Sequence, residues 1–155
     1  MKKIISLLTV ISLVLSMLVV SAFAAWDGTT VATAFASGTG TEADPYVIAT
    51  PEQLAFLAQS VKNHETYEGK YFVLGADIDL GGKEWLPIGL FYTSTKTNEK
   101  YANNAPFMGS FDGKGYTVSN FVITAGADTV YAGLFGYAGG STCVIKNLTI
   151  AKANV

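Results

Sequence analysis

Three aspartates are the residues whose type and spacing could do chemistry. Asp77 and Asp79 lie two positions apart in a β-prone segment, so both side chains project to one side of a strand. Asp112 lies in a turn that could approach them. Ca²⁺ takes roughly six to eight oxygen ligands, and carboxylates suit it. The three are therefore candidate calcium ligands; the alternative, which we favour, is that they are structural or face water.

A polar loop is the second candidate site. Residues 91–105 are rich in Thr, Asn, Lys and Tyr, and loops raised from a rigid scaffold often carry recognition. The candidate ligand-contacting side chains are Tyr92, Asn98, Tyr101 and Asn103. Trp26 and Trp85 could extend an aromatic platform for sugar rings. The alternative, which we favour, is that both tryptophans are packed inside the molecule.

The first 24 residues have the pattern of a secretory signal peptide. Lys2 and Lys3 precede an apolar run at 4–20, and Ala22-Phe23-Ala24 supplies a small-x-small cleavage site. The alternative is a membrane anchor, since a run of this length just reaches the lower limit for spanning a bilayer. We predict cleavage before Ala25 and an extracellular location, either secreted or on the cell surface.

Charge and cysteine content exclude several classes of function. Removal of Lys2 and Lys3 takes the net charge from −2 to −4, and the chain contains no Arg. An acidic chain without Arg is a poor partner for nucleic acid, whose phosphates require cationic groups. Cys143 is the only cysteine, so no internal disulfide can form. We interpret it as a buried thiol, because His64 is the only histidine that could activate it.

Residues 25–69 are predicted to hold leading strands, at 29–35 and 46–48, followed by one helix. Thr50 is a suitable N-cap, Pro51 suits the first helical position, and Gln53 completes a capping box. Apolar residues then follow at helical spacing: Leu54, Leu57, Ala58 and Val61. A single amphipathic helix before a series of strands is typical of a cap over an open β-stack.

Residues 70–155 repeat one strand pattern. The hexapeptides at 118–123 and 145–150 match at an offset of 27 residues, and DIDL at 77–80 matches the final four positions of both. A strand-sized unit recurring at such a period is typical of repetitive β-architectures. Stacking of the copies would place Ile123 next to Ile150 and Asn120 over Asn147, as an amide ladder. We therefore predict an all-β fold, a right-handed parallel β-helix of few rungs; the alternative is an antiparallel sandwich.

Several of these segments resemble a known group of proteins. They are GTGT at 38–41, DPYVI at 44–48, DIDL at 77–80, WLPIG at 85–89, FMGSFDGKGYTV at 107–118 and GLFG at 133–136. In this order they resemble bacterial surface and adhesin-like proteins with GLUG motifs, which include the N-terminal regions of IgA-cleaving metalloproteases. The resemblance implies a parallel β-helix on an exported protein. It implies no protease activity, because the sequence contains no His-Glu-x-x-His motif.

These observations predict an exported, non-enzymatic surface module with no catalytic residues and no cofactor. Its expected role is adhesion or display, as the front part of a larger repeat protein, with a host or cell-surface glycan or protein as partner. The alternative is a carbohydrate-active β-helix that binds or cleaves polysaccharide. Since no cap follows the strand at 145–150, we also expect self-association, or a downstream chain, at the C-terminal end.

Overall fold

The computed structural model describes residues 25–91, 104–124 and 131–155 of the chain. The predicted signal peptide, residues 1–24, therefore lies outside the described residues. So do the four candidate contact residues of the polar loop, Tyr92, Asn98, Tyr101 and Asn103. The predicted helix and the predicted strands all fall inside the described ranges.

The predicted helix is present as α1, Pro51–Lys62. Thr50 Oγ1 accepts the N–H of Gln53 at 3.4 Å, and Gln53 Oε1 accepts the N–H of Ala49 at 2.8 Å. These bonds satisfy donors that have no partner within the helix, so α1 begins where the sequence predicted. Its buried residues are Leu54, Ala55, Leu57, Ala58 and Val61. Within the described ranges, no helix has the length and apolarity that crossing a membrane requires.

Seven strands in the described residues form two parallel sheets. The strands are β1 (Tyr46–Ile48), β2 (Tyr71–Leu74), β3 (Ile78–Glu84), β4 (Ser110–Asp112), β5 (Thr117–Val122), β6 (Ile145–Lys146) and β7 (Thr149–Asn154). One sheet has the order β1-β2-β4-β6 and the other β3-β5-β7, and every neighbouring pair is parallel. The prediction of parallel strands with one helix is confirmed. We call the strand pairs β2–β3, β4–β5 and β6–β7 rungs, because each passes once through both sheets.

Side chains at matching positions of successive rungs form apolar columns between the sheets. In the three-stranded sheet Ile78 is in register with Val118, and Val118 with Ile150. The corresponding column of the four-stranded sheet is Phe72, Phe111 and Ile145. The first two members of each column are at most 1% exposed, whereas Ile150 and Ile145 are 48% and 38% exposed. Both columns are therefore buried except at the last rung.

The strand register contradicts the predicted stacking of the repeat copies. Val118, and not Ile123, lies in register with Ile150. Stacked residues are separated by 40 positions from Ile78 to Val118 and by 32 from Val118 to Ile150, rather than by a constant 27. The separations differ because the connections between strands, among them residues 91–105, differ in length.

The predicted leading strand at 29–35 is absent, whereas the one at 46–48 is present as β1. An oxygen of the Asp27 carboxylate accepts the N–H groups of Thr29 and Thr30, both at 2.7 Å, and this bends the segment into a turn. Asp side chains that bond nearby backbone N–H groups compete with strand formation. The β-branched residues that follow Asp27 favour a strand, but the hydrogen bonds of Asp27 override that preference.

The outer edge of the three-stranded sheet is covered. Helix α1 packs against β3, which is the outermost strand there. The carbonyl oxygen of Trp26 lies 3.1 Å from the position that a Cβ on Gly81 would occupy. The rings of Trp26 and Trp85 meet edge to face, with centroids 6.1 Å apart. The opposite edge strand, β7, has no further strand beside it among the described residues.

The column of the three-stranded sheet generates a stability prediction with an internal control. We expect Ile78→Ala to lower the free energy of unfolding by about 2–5 kcal/mol, because it empties a buried site. We expect Ile150→Ala, the same substitution in the same column, to cost under about 1.5 kcal/mol, because half of that side chain already contacts water. Urea denaturation measures both. Equal losses would show that Ile150 is covered in solution.

Candidate functional site

The structure separates the three candidate calcium ligands. Asp79 lies in β3 of the three-stranded sheet, and Asp77 directly precedes that strand. Asp112, in contrast, is the last residue of β4 in the four-stranded sheet. Within the described ranges, no three His, Cys, Asp or Glu side chains are grouped so that they could hold a metal ion. Asp77 Oδ1 instead accepts the N–H of Thr117 from the next rung, at 2.8 Å. The approach of Asp112 to the other two, which a shared calcium site would require, is therefore not observed among the described residues.

Asp79 links the first rung to the second. Its Oδ1 accepts the N–H of Gly81, which closes a turn, at 2.8 Å. The side-chain amide of Asn120, one rung on, donates to both oxygens of the same carboxylate at 2.9 Å. Asn120 adopts a φ of +57°, in the left-handed region that Asn tolerates better than most residues. This backbone conformation and the two hydrogen bonds together explain why Asn stands at position 120.

Asp112 links the second rung to the third in the same way. Its Oδ1 accepts the N–H of Lys114 at 2.8 Å and the side-chain amide of Asn147 at 3.0 Å. Asn147 also has a positive φ, +53°. The ammonium groups of Lys114 and Lys146 lie 3.5 and 3.8 Å from the other oxygen, Oδ2. We call the pairs Asp79–Asn120 and Asp112–Asn147 the carboxylate–amide clamps.

The clamps overturn the predicted amide ladder and give the repeated Asn another meaning. Asn120 and Asn147 do not bond to each other, since each donates to an aspartate of the preceding rung. Asn120 lies within β5, whereas Asn147 lies in the connection between β6 and β7. The repeat in the sequence therefore marks two equivalent clamps in two different parts of the fold.

The clamps hold their carboxylates in the ionised form. The N–H of Gly81 and then the amide of Asn120 lower the pKa of Asp79 below its ordinary value, against a smaller opposing effect of burial. At Asp112, burial would raise the pKa, but the combined hydrogen bonds and the two lysines outweigh it, and the pKa is lowered. A carboxylate already engaged by several protein donors is a structural group, and these interactions explain both shifts without a metal.

The tryptophans and the cysteine are structural. Trp26 and Trp85 are 5% and 2% exposed, which confirms that they are packed inside rather than displayed for sugar binding. Trp85 Nε1 donates to the carbonyl of Leu134 at 3.2 Å. Cys143 is half-buried, with Sγ 3.8 Å from the carbonyl oxygen of Phe107, and burial raises the pKa of its thiol. A raised pKa makes the nucleophilic thiolate scarce at neutral pH.

One surface feature was not found from the sequence. A groove of about 370 Å³ crosses the outward face of the four-stranded sheet. We call it the outer-sheet groove; its principal lining residues are Tyr71, Val73, Ser110, Asp112, Val144 and Lys146. The strand alternation of β2 and β4 could have indicated which side chains face outward. These side chains form one groove only because β2, β4 and β6 pair in a particular register, and the sequence did not predict that register.

Two known proteins are similar to most of the chain. One, named halomucin, from Haloquadratum walsbyi, is 34% identical over 143 residues, which cover 85% of this chain but 1% of halomucin. The other, from Evansella cellulosilytica and provisionally named a Gly-rich membrane protein, is 35% identical over 122 residues, 75% of this chain and 12% of that protein. The chain thus spans a small part of the length of these relatives. No protein-family model matches the chain, and no solved structure matches it.

The first clamp generates a prediction about position 120. Asn120→Gly retains the left-handed backbone and deletes both hydrogen bonds to Asp79, whereas Asn120→Ala also forces a Cβ into that conformation. We expect the Ala variant to be less stable than the Gly variant by about 1–2 kcal/mol. A double-mutant cycle of Asn120→Gly with Asp79→Ala should give a coupling energy of about 0.5–1.5 kcal/mol at pH 7.

The same coupling should depend on pH. The pKa of Asp79 is lower in the folded than in the unfolded state, so its contribution is complete above the unfolded value, about 4. The contribution is lost as the pH falls through the folded value. Denaturation of the four cycle members at pH 7 and at about pH 2 measures this difference. A coupling energy that does not decrease in acid would contradict the ionic character of the clamp.

Proposed function

We propose that this chain is an exported, non-enzymatic module of a cell-surface protein, which serves in adhesion or as a stalk that displays the rest of a larger repeat protein. The observation that carries the proposal is the stack itself. The first two rungs share one apolar core, and Leu148 of the third rung packs against it. The aspartates that could have done chemistry connect one rung to the next. Such an arrangement suits a rigid, extendable scaffold.

The proposal includes a right-handed parallel β-helix as the architecture. The chain passes alternately through the two parallel sheets, from β2 to β3, β4 to β5 and β6 to β7. Connections between parallel strands of one sheet are right-handed in nearly all proteins. In this architecture α1, which packs against the outermost strand β3, serves as the N-terminal cap.

Surface location is supported by two independent features. Residues 1–24 carry the pattern of a cleaved signal peptide. The similar proteins are named halomucin and a Gly-rich membrane protein, and both names favour association with a cell surface or membrane. The ordered motifs that resemble GLUG-containing surface proteins agree with the same proposal.

The alternative function is a carbohydrate-active β-helix that cleaves polysaccharide. The groove on the outward face of the four-stranded sheet favours this alternative, because it contains two carboxylates, Glu42 and Asp112, and two lysines. Against it, both oxygens of Asp112 are already engaged, Oδ1 by the Lys114 N–H and the Asn147 amide and Oδ2 by the two ammonium groups. A catalytic base must be within reach of a proton on the substrate, and its pKa should lie near the working pH. The pKa of Asp112 is lowered, and therefore lies further from a neutral working pH than that of an ordinary carboxyl group.

We also propose that the exposed side of the last rung contacts a further β-structured layer. Ile145 and Ile150 are 38% and 48% exposed there, and β6 and β7 are the edge strands of their sheets. An apolar edge with unpaired backbone groups is a template for another strand. In a longer protein the following segment can supply that layer, whereas in the isolated chain a second copy must do so.

The proposed location predicts how the protein is processed. When the whole chain is expressed with a C-terminal epitope in a bacterial host, we expect the epitope outside the cell, on a polypeptide that begins at Ala25. N-terminal sequencing and accessibility of the epitope on intact cells measure this. A chain that keeps Met1 in the membrane fraction would contradict cleavage.

A separate assay tests the enzymatic alternative. If incubation of the exported chain with a panel of polysaccharides produced new reducing or unsaturated ends, that alternative would be supported.

The exposed last rung predicts self-association. At micromolar concentration the exported chain should elute as a species larger than a monomer, measured by size exclusion coupled to light scattering. Replacing Ile145 and Ile150 together by Thr should restore the monomer. Val31→Thr is the matched control, because Val31 is also exposed, at 40%, but lies in the N-terminal segment. A sharp monomer peak for the unaltered chain would refute this contact.

A further inference from the structure

The outer-sheet groove combines an apolar floor with charged groups. Tyr71, Val73 and Val144 supply apolar surface, while Ser110 and Asp112 add polar atoms on β4. Lys114 and Lys146 stand beside Asp112, and Glu42 also lines the groove. The volume, about 370 Å³, lies within the range of roughly 300–1,000 Å³ that small-molecule sites occupy. Neighbouring strands are about 4.8 Å apart, so a ligand that crosses from β2 to β6 contacts about 10 Å of surface.

The two lysines are available to a ligand. Their ammonium groups approach only one oxygen of Asp112, at 3.5 and 3.8 Å, and their side chains are 56% and 59% exposed. Each ammonium has three donors, so donors are left over after the contact with Asp112. Two positive charges face one carboxylate at this end of the groove. A ligand carboxylate placed there could accept from the ammonium donors that Asp112 leaves free.

The groove also excludes an extended peptide that binds by strand addition. Strand β2 is paired with β1 and β4, and β4 with β2 and β6, so their backbone groups are engaged inside the sheet. Strand addition needs a free sheet edge. A ligand on this face must therefore bind through side chains. Sugar hydroxyl groups can both donate to the carboxylates and accept from the lysines, and sugar rings also offer apolar C–H surface.

We propose that the outer-sheet groove binds a glycan chain that contains uronic acid, with a uronate carboxylate between Lys114 and Lys146. The presence of Asp112 and Glu42 keeps the total charge of these four groove residues at zero, which favours one carboxylate per sugar over a densely sulfated glycan. The groove faces outward, so a further layer beside β6 would leave it open. The inference rests on the proposed adhesive function and specifies the class of its ligand.

The first test compares two glycans with the same sugar backbone, one with charged and one with uncharged carboxyl groups. The exported chain is titrated by calorimetry with tetragalacturonate and with the same tetramer methyl-esterified on its carboxyl groups. We expect binding of the acid form, weakened by added salt, and at least tenfold weaker binding of the ester. Equal binding of the two forms, or no binding of the acid form at millimolar concentration, overturns the proposal. Equally tight binding of a tetraglutamate peptide also overturns it, since charge alone would then explain the affinity.

The second test locates the site with matched lysine substitutions. Lys146→Gln should weaken binding of tetragalacturonate at least fivefold. Lys152→Gln is the control, because Lys152 lies on β7 in the other sheet and interacts with the carboxylate of Asp79. Both positions are on the surface, so both variants should fold, as thermal unfolding can verify. Equal weakening by the two substitutions overturns the assignment to the groove. Neither outcome affects the epitope and N-terminal sequencing results, which test the surface location separately.

Discussion

Parallel, in-register pairing of successive rungs is the constraint on which the rest of the structure depends. Once β3, β5 and β7 are in register, Ile78, Val118 and Ile150 form a single column. The same pairing in the other sheet aligns Phe72 with Phe111. Burial of these side chains is the principal favourable term in folding, and it is available only when neighbouring rungs are aligned. A slip of one residue would turn each apolar set outward.

The carboxylate–amide clamps act where apolar packing cannot. Asp79 lies where the register of β3 against β5 shifts, and Asp112 is the last residue of β4. At such places backbone N–H groups lose the regular partners of the sheet. Asp79 and Asp112 each accept one such N–H and one Asn amide from the next rung. The clamps therefore connect rungs at the surface, while connections of different lengths can loop out between them. Stack geometry and loop length are consequently independent, which suits a scaffold whose loops carry recognition.

The inward and outward faces of the four-stranded sheet have different roles. Alternation along β4 places Phe111 inward, at 1% exposure, and its neighbours Ser110 and Asp112 in the groove on the outward face. Substitutions at outward positions such as Ser110 and Val73 would therefore change the groove without emptying a site in the core. The proposed glycan site and the proposed contact at the last rung use different surfaces of the same stack, so the two functions are compatible.

The sequence by itself determined the elements whose signals are local. The capping residues Thr50 and Gln53 and the apolar spacing after them predicted α1 correctly, and the β-prone residues at 46–48 predicted β1. Only the tertiary structure decided the register, because that depends on which residues meet across rungs and not on spacing along the chain. Asn120 and Asn147 look like stacked equivalents in the sequence, yet each is bound to an aspartate of the preceding rung. The outer-sheet groove likewise exists only because pairing brings β2, β4 and β6 side by side, from positions that the sequence separates by connections of unequal length.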